Sequence, residues 1–174
     1  ILLGQIIEKV SNNKINDYLN KKVFTKAKLF NTYVNDEGKT IIPNRAYGHI
    51  LDNNQLIVKD QYWCSATIGD GGLYSNITDL NKWIDYLLGD DFDKLKSTMF
   101  LPNVFDEKTN SYYGLGMRII NVNGCDIYYH CGDTIGTNTF ILFSKDLNLR
   151  CIFLTNLGNI DTENLKENII NLIN

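Results

Sequence analysis

The segment Tyr128-Tyr129-His130-Cys131-Gly132-Asp133-Thr134-Ile135-Gly136 places an imidazole, a thiol and a carboxylate within four consecutive positions. An imidazole changes charge near neutral pH and hydrogen-bonds through either nitrogen. A thiolate can attack or bind metal. The surrounding sequence reads as a strand, and side chains alternate across a strand. His130 and Cys131 therefore point to opposite faces. Tyr128 shares the face of His130; Cys125, Ile127 and Tyr129 share that of Cys131. This divergence argues against a Cys/His zinc site and against Cys–His thiol chemistry, so no metal and no cofactor is expected. The functional reading of His130 is that it faces a groove and hydrogen-bonds a ligand carboxylate or carbonyl there. A plain surface or core histidine is the alternative. Gly132, lacking a side chain, lets a ligand approach the backbone closely.

Other polar positions read as structural. Gly71, Gly72 and Ser75 shape a loop near the groove or simply a helix entry. Asn76 is an N-cap, with Asp79 three positions later in a capping-box-like arrangement, so Asp79 reads as a cap and not as a catalytic acid. Trp63 and Trp83 read as core or groove aromatics, and His49 receives no role. Cys64, Cys125, Cys131 and Cys151 lack C-x-x-C spacing and read as buried free thiols, with their pairing left open.

The elements that must hold these residues follow from periodicity. Leu2, Leu3, Ile6, Ile7 and Val10 recur at helical spacing, and Ser11-Asn12-Asn13 ends that helix. Ile15, Tyr18, Leu19 and Val23 suggest a second short helix. Residues 31–62 read as loops with short strands, punctuated by Gly38, Pro43 and Gly48. Ile77, Leu80, Ile84, Leu87 and Leu88 form an apolar stripe that Gly89 terminates. A short helix follows over 92–99. From Tyr112 the period becomes two, which predicts strands at about 113–121, 125–131, 137–144 and 149–155. Asn123-Gly124 makes a hairpin turn, and Asp161 caps a last helix whose buried face carries Leu165, Ile169, Leu172 and Ile173. Helices, an antiparallel meander and a covering helix make an α+β arrangement.

The chain has 174 residues, 44 % of them hydrophobic and 21 % charged, with a formal net charge of −3. That length suits one domain burying about 70 % of its unfolded surface. No basic stripe points to nucleic acid. No apolar run reaches the length of a membrane span. The chain begins at Ile1 inside a helical pattern, so the lack of a signal peptide says little about export.

Four segments, in order, resemble the class C β-lactamase, penicillin-binding-protein and esterase branch of the serine β-lactamase-like superfamily. Residues 2–11 resemble the family helix that follows its Y-x-N motif. Gly71-Gly72-Leu73-Tyr74-Ser75-Asn76-Ile77-Thr78-Asp79-Leu80 resembles its GGL-x-S-T-x-x-DL segment, and Tyr113-Gly114-Leu115-Gly116-Met117 resembles its YGLGW strand. His130-Cys131-Gly132 resembles its H-x-G, with Gly136 at the glycine of the following turn. The resemblance implies a partial β-lactamase-like (transpeptidase-like) fold over residues 1–174, corresponding to the C-terminal portion of the domain. The S-x-x-K segment, whose serine attacks a carbonyl, and the Y-x-N segment are then missing.

Ser11-Asn12-Asn13-Lys14 fits S-x-x-K formally, and Tyr18-Leu19-Asn20 and Tyr33-Val34-Asn35 fit Y-x-N. An acylating serine needs the N-terminus of a buried helix, whereas Ser11 ends a helix amid polar neighbours that leave Lys14 solvated. By resemblance His130, Gly132 and Asp133 are the catalytic-wall residues, and the Asp133 amide corresponds to the second oxyanion-hole donor. The Asp133 carboxylate adds a negative charge near that hole. The function implied is acyl-serine hydrolysis of a β-lactam, a D-Ala-D-Ala-type peptide or an ester by an intact protein, with this chain alone inactive. A non-catalytic binding module is the alternative. The resemblance also implies an extracytoplasmic or membrane-anchored setting. An uncovered sheet edge and apolar face imply self-association, strand swapping or a second chain, including the missing N-terminal part.

Overall fold

The computed structural model describes residues 1–36, 39–62 and 68–173. Gly38, Trp63 and Cys64 lie outside the described residues. Helix α1 (Leu2–Ser11) stops at Asn12, which takes the left-handed conformation. The next helix is longer than its periodicity suggests. It runs as α2 (Ile15–Leu19), a π-helical stretch (Asn20–Phe24) and α3 (Thr25–Ala27), with Phe24 and Ala27 buried. Two short pairings follow. Strand β1 (Tyr33–Val34) pairs with β4 (Leu73–Tyr74), and β2 (His49–Asp52) forms a hairpin with β3 (Gln55–Val58). The hairpin turns on Asn53-Asn54, both at positive φ, a geometry Asn tolerates because its short polar side chain bonds locally.

Helix α4 (Ile77–Leu88) begins at Asn76, whose Oδ1 accepts from the Asp79 amide at 2.9 Å. After a single 3₁₀ turn, α5 (Asp93–Met99) leads into one antiparallel six-stranded sheet. Its strands are β5 (Val104–Asp106), β6 (Ser111–Tyr113), β7 (Arg118–Val122), β8 (Cys125–Thr134), β9 (Thr137–Ser144) and β10 (Leu149–Thr155), in simple meander order. Helix α6 (Thr162–Asn171) closes the chain, with Asp161 Oδ1 accepting from the Asn164 amide.

The sheet is covered on both faces. On the front, Ile84 and Leu87 of α4 pack against Met117, Phe143, Tyr128, Ile141 and Ile152. On the back, Ile127, Tyr129, Phe140 and Leu142 meet Leu165, Ile169, Ile170 and Ile173 of α6 and the tail beyond it. Two expectations fail here. The strand expected over 113–121 is broken, because residues 114–117 form a tight loop in which Gly116 sits at φ +86° and the Gly114 amide bonds the Met117 carbonyl. Leu172 is not on the buried face. The helix ends at Asn171, its phase no longer governs the next residue, and Leu172 is 87 % exposed while Ile170 packs inward.

Candidate active site

Strand β8 is paired unequally along its two edges. Against β9 it is paired from Tyr128↔Phe143 to Thr134↔Thr137, whereas β7 pairs with it only from Val122↔Cys125 to Arg118↔Tyr129. Among the described residues nothing continues the ladder beside 130–134, so this stretch has an open edge. The hairpin turns fix which groups point there. A two-residue loop closes on a pair that exchanges hydrogen bonds, and such pairs recur at every second residue. The Asn123-Gly124 turn makes Cys125, Ile127 and Tyr129 bond toward β7. The Ile135-Gly136 turn makes Thr134, Gly132 and His130 bond toward β9. Both phases agree, and both direct the main-chain N–H and C=O of Cys131 and Asp133 into the open edge.

The front face of this stretch carries a polar row. His130 is exposed, and its Nε2 lies 3.3 Å from the Tyr113 hydroxyl. Next comes Gly132, opposite Thr139. A Cβ at Gly132 would sit 2.6 Å from Thr139 Oγ1, so the absent side chain makes room for that hydroxyl on the front face. Thr134 follows, receiving a 2.6 Å bond from Gln61 Nε2, and Gln61 Oε1 in turn accepts from the Tyr74 hydroxyl at 3.2 Å. His130 and Gly132 therefore share one face of β8. Asp133 contributes differently. Its amide meets the open edge, but alternation sends its carboxylate to the back face with Cys131. The negative charge thus stands across the strand from His130 and Gly132.

The tip of the strand is clamped through main chain. Gly136 sits at φ +73°, and a Cβ there would fall 1.8 Å from the Lys59 carbonyl oxygen. The His49 amide donates to the carbonyls of Gly136 and Asn156, and the Gly158 amide donates back to His49. His49 is thus a main-chain junction, and its ring lies 3.4 Å from the Asn156 side-chain amide. Arg45 braces the same corner. It pairs with Asp60 and lies over the rings of Tyr47 and Tyr74, with its Nε buried and, among the described residues, unpaired.

Behind the strand, the Cys131 thiol donates to Glu163 Oε1 at 3.3 Å, and Glu163 pairs with the buried Lys166. Burial, then the hydrogen bond to the Glu163 carboxylate and its charge, push the Cys131 thiol up to about 11. Cys131 is therefore a protonated thiol at neutral pH and a poor nucleophile. Cys125, Cys131 and Cys151 are free and half-buried.

Asp79 takes a larger part than a cap. It is fully buried, and its Oδ2 accepts from the Asn31 amide at 2.6 Å and from the Thr32 hydroxyl at 3.1 Å, while Lys82 pairs with Oδ1. Burial alone would raise its pKa. The bonds from Asn31, Lys82 and Thr32 outweigh that and hold the carboxyl below its ordinary value. Ser75 is held by Thr32 at 2.8 Å in the same network, and Trp83 stacks on Tyr86. Ser11 closes α1, where its Oγ accepts from the Asn13 amide at 3.3 Å. This is a helix C-terminus, and it presents no donors to an oxyanion. Tyr113, Thr139, Gln61 and Thr134 stand beside His130 and Gly132, and sequence reading assigned none of these four a role.

A family model described as Beta-lactamase matches residues 1–171. The chain belongs to the beta-lactamase family. Among solved structures, a penicillin binding protein from Bacillus halodurans superposes with a TM-score of 0.82 at 21 % identity, covering 98 % of this chain and 53 % of that one. The octameric penicillin-binding protein homologue from Pyrococcus abyssi superposes with a TM-score of 0.73 at 25 % identity, over 89 % of this chain and 36 % of that one. The D-amino acid amidase from Ochrobactrum anthropi SV3, complexed with D-phenylalanine, gives 0.69 at 16 % identity, over 99 % and 58 %. This beta-lactamase-family chain spans about half the length of the structures it matches. Among the described residues, no helix is long and apolar enough to cross a membrane.

Proposed function

We propose that residues 1–174 supply one wall of the substrate groove of an acyl-serine hydrolase, and that the attacking serine belongs to polypeptide outside them. The observation that carries this reading is the open edge at 130–134. There the Asp133 amide, the His130 ring and the space over Gly132 converge. The main-chain groups of Cys131 and Asp133 would hold an extended substrate by strand addition. The Asp133 amide would supply one oxyanion donor, and the serine's own amide the other. His130 would hold a substrate carboxylate or carbonyl. In this reading the chain is the C-terminal portion of a β-lactamase-like domain, and its substrates are β-lactams, D-Ala-D-Ala-type peptides or esters. Such peptides place the intact protein outside the cytoplasm. The chain alone is inactive, because losing a nucleophile removes on the order of 10⁶ in kcat.

The outward apolar stripe of α1 and the outer edge of β10, unpaired among the described residues, suit covering polypeptide, either the remainder of the domain or a second copy. Covalent labelling with fluorescent penicillin and with a fluorophosphonate, on this chain and on the full translation product containing it, tests the proposal. Labelling of the longer product alone supports it. Labelling of neither supports a non-catalytic binding module, and labelling of the 174-residue chain overturns it.

A further inference from the structure

Behind His130 stands a short relay that none of the catalytic roles above uses. Tyr113 is the last residue of β6 and lies at the point where β7 ceases to flank β8. Its ring meets that of His130 at 65° with centroids 6.3 Å apart. The Arg118 guanidinium carbon sits 5.4 Å from the Tyr113 ring centroid. Arg118 is itself fixed, donating to Asp106 Oδ2 at 2.8 Å, Thr109 Oγ1 at 2.7 Å and Ser111 Oγ at 3.3 Å. The phenol is thus positioned by a braced cation, and its hydroxyl faces Nε2 of His130. Among the described residues Nδ1 of His130 has no partner.

We infer that Tyr113 is a positioning residue that sets the tautomer of neutral His130, placing the proton on Nδ1. A phenol O–H is a better donor than its oxygen is an acceptor, and a bare imidazole nitrogen is a strong acceptor. With Tyr113 donating to Nε2, the ring's single proton must sit on Nδ1. Nδ1–H is then the donor offered to a ligand's carboxylate or carbonyl oxygen, and it is available without a positive charge. This purpose rests on the groove reading above; the tautomer itself does not.

The test is a long-range ¹H–¹⁵N correlation spectrum of the ¹⁵N-labelled chain at about pH 8.5, well above the ordinary histidine value. The chain has only two histidines, and His49→Gln assigns the signals. The expected result is a pyrrole-type Nδ1 and a pyridine-type Nε2 for His130. In Tyr113→Phe, which keeps the ring and removes only the hydroxyl, the pattern should switch to the Nε2–H form. An Nε2–H pattern in the wild-type chain overturns the inference, and so does a pattern that Tyr113→Phe leaves unchanged. The wild-type spectrum decides alone should the variant fail to fold. Because the spectrum is read without ligand, its outcome is independent of whether any serine is labelled.

Discussion

Helices α1 and α4 are similar in length and both strongly amphipathic, yet they sit in the molecule in opposite ways. In α4 the apolar stripe turns inward after Ile77, which is exposed at the first turn, and Ile84 and Leu87 have no solvent exposure. In α1, Leu2, Leu3, Ile6 and Val10 fall on one arc of about 100°, and all four are exposed. The side of α1 that touches its own chain carries Gly4, close to Gly69, and Glu8, whose carboxylate accepts from the Ile15 amide. An amphipathic helix normally turns its apolar stripe to a core. The difference teaches that amphipathicity records where apolar surface ends up in the final assembly, and that among the described residues no core forms against the stripe of α1.

Substitutions can break or sharpen this contrast. Leu87→Ala in α4 should cost about 2–5 kcal/mol through lost burial and a residual cavity, read as a lower urea midpoint at unchanged slope. Asp79→Asn, at the start of the same helix, weakens charge-assisted bonds to Asn31, Thr32 and Lys82 and should cost on the order of 2 kcal/mol at neutral pH. The folded-state pKa of Asp79 is depressed, so its contribution is present above the unfolded carboxylate value and is lost as pH falls through the folded one. The gap between wild type and Asp79→Asn should therefore narrow below about pH 4; a gap that stays constant into acid would remove the carboxylate from the account. Gly136→Ala, at the clamp on the β8–β9 tip, should cost more than about 1 kcal/mol, because it adds a side chain at positive φ against the Lys59 carbonyl. Leu3→Lys in α1 should change the stability of the isolated chain by less than about 0.5 kcal/mol while reducing its association in sedimentation. A loss of several kcal/mol there would mean that the stripe is already buried, and that the contrast with α4 is false.

Much of the meander was legible because its signals are local. Asn123-Gly124 takes positive φ at both positions, and the alternation over 137–144 and 149–155 matches β9 and β10 to the residue. The β2–β3 hairpin was not legible, since Asn53-Asn54 lacks the glycine that marks most such turns. The loop at 114–117 was hidden because alternation continues on both sides of its two glycines. The site divides the same way. His130 and Gly132 lie on one strand, and alternation alone separates them from Cys131. Thr139 reaches the groove only through the register of β9, and Gln61 meets Thr134 across 73 positions of chain. No local pattern encodes either contact. Asp79 read as a cap because its amide does bond Asn76, while its carboxylate answers to Asn31 and Thr32, 48 and 47 positions away.

In the proposed function the strand from His130 to Thr134 is half of a reaction centre. Peptide mapping by mass spectrometry, after penicillin treatment of the full translation product, locates the acylated residue directly. The expected result is an adduct on a serine outside Ile1–Asn174, with this chain unmodified under the same treatment. An adduct on Ser11, Ser75 or any other residue of these 174 would contradict it.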